Sequence, residues 1–285
     1  MNVLRSVLYM PSSNARALEK AKTLPADAII FDLEDAVAPD AKALARGQAV
    51  AAVQSGAYGR RILTIRCNGL DTPWGKDDLT AAATSGAAAV VIPKVSGVAH
   101  LAEVVRVLDD AGAPADLAIW AMDETPTAVL DVRTIAGFDR VSALVLGTND
   151  LAKELRAALV PGRAPLLAHL ATVLLAAREA DILVLDGVFN DVKDLVGFET
   201  ECVQGFELGF DGKTLVHPTQ VEIANRVWAP SADEVDYAHR VLAAFDQALA
   251  DGKGVVTVDG RMIENLHVDN ARRTLATAQA VAALS

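Results

Sequence analysis

Eight short apolar runs recur along the chain up to residue 218, separated by stretches with helical spacing. This alternation restricts the fold more than any other feature. The runs are SVLYM (6–10), AIIFD (28–32), RILTIR (61–66), AAVVIPK (88–94), LAIWAMDE (117–124), ALVLGT (143–148), ILVLDGV (182–188) and KTLVHP (213–218). Between them lie helical stretches such as SNARALEKAKTL, DAKALARGQAVAAV and VAHLAEVVRVLDDAG, the last ending at Gly112, a suitable C-cap. Strands that alternate with helices form parallel β/α units, and eight of them fit a (β/α)8 TIM barrel. An open doubly wound sheet calls for a glycine-rich turn after the first strand. That turn reads MPSSNA, so the barrel is preferred. A core with 52% hydrophobic but only 5% aromatic residues suits helices packed on a parallel sheet.

The periodicity changes near residue 230. SADEVDYAHRVLAAFDQALADG predicts a helix, GVVTVDGRMI a short strand and turn, and VDNARRTLATAQAVAAL a final helix. The expected organisation is a barrel over residues 1–230 and a C-terminal helical, lid-like extension over 231–285. No internal repeat or low-complexity segment interrupts it.

A formal net charge of -11 argues against nucleic acid as a partner, because phosphate binding needs a basic face. It leaves room for a small anionic ligand held by a few basic residues. No run approaches the ~20 apolar residues of a membrane span. MNVLRSVLYMPSS lacks a signal-peptide layout, and LLAHLATVLLAAREA is broken by His169 and Arg178. Cys67 and Cys202 offer neither a disulfide framework nor CxxC spacing, so a cytoplasmic location is expected. Cys67 lies beside candidate site residues, but no histidine stands near it in sequence, and a small buried residue is the expected role.

Barrel enzymes carry their chemistry at the C-terminal ends of the strands. Polar residues stand at seven of the eight: Asp32, Glu34 and Asp35; Arg66 and Asn68; Lys94; Glu124; Asn149 and Asp150; Asp186; and His217. That recurrence favours one shared polar site over scattered caps and surface charges. Glu124 and Asp150 offer oxygen ligands only, without HxxxH, HExxH or clustered Cys/His. Two carboxylates completed by water and substrate oxygens suit Mg²⁺. The alternative for Glu124 is an ion pair with Arg66 or Lys94, and for Asp150 an N-cap. Arg66 fits a bidentate clamp on a carboxylate or carbonyl, and also neutralisation of the acids in FDLEDAV. His217 fits helix capping and ligand contact equally. In PSSNARALEK, a cap by Ser12, Ser13 or Asn14 leaves N–H groups for an anion, with Arg16 and Lys20 as a basic rim.

SVLYMPSSNARALEKA, FDLEDAVAPDAK, IRCNGLDT, IPKV, DETP, GTNDLAKEL, DGVFND and GFDGKTLVHPTQVEIAN occur in this order, followed by VVTVDGRMIENLHV. Together they resemble the citrate lyase β-subunit-like branch of the HpcH/HpaI aldolase superfamily, and within it the malyl-CoA lyases and (3S)-malyl-CoA thioesterases. The resemblance implies a (β/α)8 barrel assembled into a homotrimer or hexamer. It implies Mg²⁺, with Mn²⁺ as a substitute, on Glu124 and Asp150, and CoA as part of the substrate. Arg66 matches an arginine gripping substrate oxygens. Tyr9 and Lys20 match positions near the CoA moiety, Asn149 a substrate-contacting position, and Val216–His217 a segment lining the acyl-CoA cleft. Asp35 stands where sister aldolases carry a catalytic histidine. Asp259 matches an acid that the C-terminal segment delivers to a neighbouring subunit's site. Ser12 replaces a glycine common among relatives, and Asp123 an apolar residue before the metal-binding glutamate.

The implied activity is Mg²⁺-dependent hydrolysis of a 3-hydroxy-dicarboxylyl-CoA thioester such as (3S)-malyl-CoA. The alternative is C–C cleavage of malyl-, citramalyl- or citryl-CoA in the same pocket. Rival readings are a barrel that handles phosphoenolpyruvate or pyruvate, a subunit of a citrate lyase-type complex, and a degenerate paralogue acting as a binding module. The intact set of Arg66, Glu124, Asp150 and Asp259 speaks against the last.

Overall fold

Each apolar run forms one strand of a computed structural model that describes residues 3–252 and 255–284. The strands are β1 (Ser6–Pro11), β2 (Ala28–Asp32), β3 (Ile62–Arg66), β4 (Ala89–Ile92), β5 (Ala118–Asp123), β6 (Val141–Leu146), β7 (Leu183–Asp186) and β8 (Gly212–Leu215). They close in sequence order into a parallel barrel, with β1 pairing both β2 and β8. The (β/α)8 architecture expected from the alternation is the one observed. The runs overreach mainly at their C-terminal ends. AAVVIPK extends to Lys94 while β4 stops at Ile92, and KTLVHP to Pro218 while β8 stops at Leu215. The surplus residues form the βα loops.

The helices that follow the strands are α1 (Ala15–Ala21), α2 (Lys42–Gln54), α3 (Gly75–Ala83), α4 (Val98–Asp110), α5 (Pro126–Ala136), α6 (Thr148–Leu155), α7 (Leu167–Glu179), α8 (Leu195–Leu208) and α9 (Val221–Val227). Asn14 is the residue that caps α1, its Oδ1 accepting from the Ala17 N–H. Thr125 caps α5 in the same way, with Pro126 at the first helical position.

Successive strand residues point to opposite faces. Val7, Ala28, Ile30, Val91, Trp120, Met122, Val145 and Leu185 form one cluster inside the barrel. Leu8, Ile29, Phe31, Val90, Ile119, Leu144 and Val184 are just as buried, on the outer face. One step past the inner apolar layer, the same rows bring Asp32, Arg66 and Glu124 to the C-terminal mouth. Asp32 lies opposite Arg66 in register. Gly212 permits the closure of β8 on β1, since a Cβ there would overlap the Leu4 carbonyl.

This parity corrects the expectation of one shared site for Asp186. It follows the inner Leu185 and faces outward, where Arg163 Nη1 (2.6 Å) and Lys213 Nζ (2.9 Å) hold its carboxylate. Lys213 also reaches Glu201, at 2.8 Å. Asp123 likewise turns away from the mouth, between the inner Met122 and Glu124. Both of its oxygens are buried without a hydrogen-bond partner, and burial, then the Glu124 charge, push its pKa well up.

The chain divides after Asn225 into two compact units. The second contains α10 (Ala232–Ala250), β9 (Val256–Val258), β10 (Arg261–Ile263) and α11 (Asn265–Leu284). Ser231 and Glu234 make a capping box at the start of α10. Strands β9 and β10 form an antiparallel hairpin across Asp259–Gly260, whose φ values of 49° and 77° suit a two-residue type I′ turn. Val241, Phe245, Val258, Ile263 and Val268 give this unit its own apolar core. Among the described residues, no helix is long and apolar enough to cross a membrane.

Candidate functional site

A cavity of about 330 Å³ opens at the C-terminal mouth of the barrel. Tyr9, Asp35, Arg66, Glu124, Asn149, Asp150 and Val216 all line it, together with Asp32 and Asn190. An apolar groove of about 140 Å³ adjoins these residues on the β1 side, bordered by Tyr9, Pro11, Lys20 and Val216. Tyr9, Pro11 and Val216 line both spaces.

The acids of FDLEDAV are organised around Arg66. Its Nε and Nη2 each donate to Asp32 at 2.7 Å, and its Nη1 lies 2.9 Å from Glu34 and 3.8 Å from Asp35. The guanidinium also stacks on the Tyr9 ring, 4.7 Å from its centroid. Burial works against the ionised Asp32, but the Arg66 charge and its hydrogen bonds, with N–H groups of Glu34 and Ala36, hold its pKa below the usual carboxylate range. Burial also opposes the Arg66 charge, yet Asp32 and the other acids raise its pKa well above the ordinary value. Glu34 differs, because burial outweighs its pairing with Arg66 and Lys94 and raises its pKa. Burial raises the Tyr9 pKa as well, so its phenol stays protonated.

Glu124 is 2% exposed. Its Oε1 accepts a 2.7 Å hydrogen bond from the Lys94 N–H, a contact made with Lys94 in the left-handed region at φ 48°. Lys94 Nζ turns to Glu34 at 3.0 Å. The carboxylate fills the space that a Cβ at Gly147 would take, so this position must be glycine. Burial, and then the nearby Glu34 charge, raise the Glu124 pKa to about 7. Asp150, one turn into α6, faces the same cavity half-buried.

No group of three or more His, Cys, Asp or Glu side chains that could hold a metal occurs among the described residues. Glu124 and Asp150 offer the cavity oxygen donors only, a chemistry that fits Mg²⁺, which keeps several waters and takes substrate oxygens. A buried carboxylate carrying one N–H bond and a raised pKa is a group that a divalent cation would stabilise in its charged form.

Other candidates fall elsewhere. His217 caps the 3₁₀ turn Pro218–Gln220, its Nδ1 2.8 Å from Thr219 Oγ1, and does not line the cavity. Asp259 lies in the second unit, on the hairpin turn, 3.0 Å from Arg240. Cys67 is fully buried, and burial raises its thiol pKa well above normal, which removes a nucleophilic role. The Ser12 hydroxyl is buried without a partner.

Asn190 was not apparent from the sequence. Its side-chain amide exchanges two hydrogen bonds with Asn149, at 3.0 and 2.8 Å, tying the loop after β7 to the start of α6. Nothing in GVFND distinguishes it from an ordinary loop asparagine. The H-x-x-Q spacing of the capping box formed by His217 and Gln220 is the local signal for Gln220.

A cavity at the C-terminal mouth of a parallel barrel, lined by acids and one clamped arginine, stands where (β/α)8 enzymes carry their active sites. Residues 5–218 match the HpcH/HpaI aldolase/citrate lyase family, and the chain belongs to it. It is 50% identical over 279 residues to a (3S)-malyl-CoA thioesterase of Cereibacter sphaeroides, covering 98% of this chain and 96% of that protein. It is 34% identical over 281 residues to the citrate lyase β subunit of Escherichia coli K12, covering 96% and 93%. The crystal structure of CitE from Mycobacterium tuberculosis in complex with magnesium, acetoacetate and coenzyme A superposes with a TM-score of 0.79 at 26% identity, covering 97% of this chain and 98% of that one.

Proposed function

We propose that this chain is a Mg²⁺-dependent enzyme that hydrolyses a 3-hydroxy-dicarboxylyl-CoA thioester such as (3S)-malyl-CoA, giving malate and CoA. The observation that carries the reading is the convergence of Glu124, Asp150, Arg66 and Asp35 on one cavity beside the groove of Tyr9, Lys20 and Val216. The similarity to (3S)-malyl-CoA thioesterases favours hydrolysis.

Glu124 and Asp150 hold the cation, which when bound supplies Lewis-acid polarisation of the substrate's hydroxyl and carboxylate oxygens. Arg66 stays charged throughout. Asp32 takes hydrogen bonds from its Nε and Nη2, and the remaining Nη hydrogens are donors for an acyl oxygen. Tyr9 packs on the guanidinium and fixes its plane. Asp35 or Asp259 takes the proton of the attacking water. The new C–O bond replaces the C–S bond, and the thiolate leaves to take a proton from the same acid. Asp259 acts from a neighbouring subunit, in a homotrimer or hexamer.

A different proton path would convert the pocket to a lyase. Deprotonating the hydroxyl breaks the C–C bond, and Arg66 stabilises the acetyl-CoA enolate. The similarity to citrate lyase β subunits supports this second reading.

Thiol release from malyl-CoA, with and without Mg²⁺, tests the assignment. Release is expected to require Mg²⁺ and to fall at least 100-fold in Glu124→Gln, the order lost with one electrostatic group. Mg²⁺-dependent release at the wild-type rate in that variant would place the cation elsewhere.

A further inference from the structure

Gln220 is fully buried in the short turn that follows Val216–His217. Its Oε1 accepts from the N–H groups of Val216 (3.0 Å) and His217 (3.2 Å), and its Nε2 donates to the Phe189 carbonyl at 3.0 Å. One side chain therefore satisfies three backbone groups on two different loops. Val216 borders both the cavity and the groove, and the loop after β7 presents Val188 and Asn190 to the cavity. The next residue after Phe189 is Asn190, whose amide is paired with Asn149 beside Asp150. The Phe189 ring is itself anchored edge-on against Phe198 of α8, with centroids 5.9 Å apart. Hydrogen bonds thus link the start of α6 to Asn190, and the adjoining Phe189 to Gln220 and the Val216–His217 backbone, the two sets joined by the covalent step from Phe189 to Asn190.

We propose that Gln220 is a positioning residue that sets the separation between the Asp150 end of the cavity and the Val216–His217 edge, and so fixes where the tail of an acyl-CoA lies relative to its reacting head. The inference rests on the reading of this site as a CoA-thioester site. The three part-buried backbone groups lose their partner once the amide is removed, so the two loops move apart or admit water. The misplacement falls on the tail side. Glu124 is held independently by Lys94 and Gly147, and Asp150 by its place in the first turn of α6, so affinity for a cation is left alone.

The test is calorimetric titration of the full chain with free CoA and, separately, with Mg²⁺. Gln220→Met keeps the volume and removes the three hydrogen bonds. It is expected to weaken CoA about tenfold or more while Mg²⁺ affinity stays within about twofold of wild type. Gln220→Glu keeps the acceptor oxygen and is expected to lie between Met and wild type. Wild-type CoA affinity in folded Gln220→Met, or equal loss of CoA and Mg²⁺, overturns the inference alone. Should Gln220→Met not fold, Gln220→Glu decides. CoA weakened about threefold at unchanged Mg²⁺ affinity supports positioning, and wild-type affinity overturns it. A wild-type protein that binds Mg²⁺ but not CoA overturns the CoA reading and this inference with it.

Discussion

At the scale of residues, the site is governed by how few of its charges are left to water. Asp32 and Arg66 are 1% and 8% exposed, so their pairing decides the cost of holding either. Asp32→Ala leaves a buried guanidinium with weakened compensation and is expected to lose about 3 kcal/mol of stability in urea unfolding. The Asp32 pKa is lowered in the folded state. Its contribution is therefore present above the ordinary carboxylate range and lost as pH falls through the folded value. Glu124 has the opposite sign. Its folded pKa is raised to about 7, so the protonated form favours folding, and that contribution is lost as pH rises through about 7. In EDTA, the wild-type melting temperature should fall between pH 5 and pH 8 more steeply than that of Glu124→Gln. Mg²⁺ added at pH 8 should raise the wild-type value and leave the variant unmoved. Equal slopes would show that Glu124 is not the group being strained.

At the scale of elements, strand parity sorts acids that face the cavity from structural ones. Asp32, Arg66 and Glu124 extend the inner rows of β2, β3 and β5, whereas Asp186 and Lys213 leave β7 and β8 on the outer face. The buried Asp186, Lys213 and Arg163, with the half-buried Glu201, brace β7, β8 and α8 to the segment after α6. Lys213→Met is expected to cost about 3–5 kcal/mol by leaving Asp186 half-compensated, measured by urea unfolding, while turnover per folded molecule is kept. The strand positions and the barrel were legible because eight apolar runs alternate with helical spacing. The facing of Asp186 was not, because LVL before it is buried on both faces and carries no alternation from which a side could be read. Arg66 and the acids of FDLEDAV could be paired because they end neighbouring strands. Asn190 and Gln220 act through βα loops, whose paths follow from tertiary packing and leave little local pattern. The capping half of the reading for His217 is observed, its imidazole binding Thr219 beside the Gln220 turn.

For the whole molecule, the second unit carries its own core and an acid at the tip of a tight hairpin. Asp259 is exposed and paired with Arg240, which also stacks on Tyr237 at 5.6 Å. An exposed pair contributes little to stability, about 0–1 kcal/mol, so Asp259→Ala should fold and melt like wild type. It is expected to lose activity nonetheless. Mixed with inactive Glu124→Ala subunits in verified hetero-oligomers, it should recover part of the wild-type rate. No recovery would remove the proposal that the acid serves a neighbouring subunit. The most direct measurement of the central claim follows free thiol and glyoxylate together during incubation with malyl-CoA and Mg²⁺. Thiol and malate in equal amounts without glyoxylate is the predicted result. Glyoxylate and acetyl-CoA without thiol would contradict hydrolysis and assign the pocket to C–C cleavage.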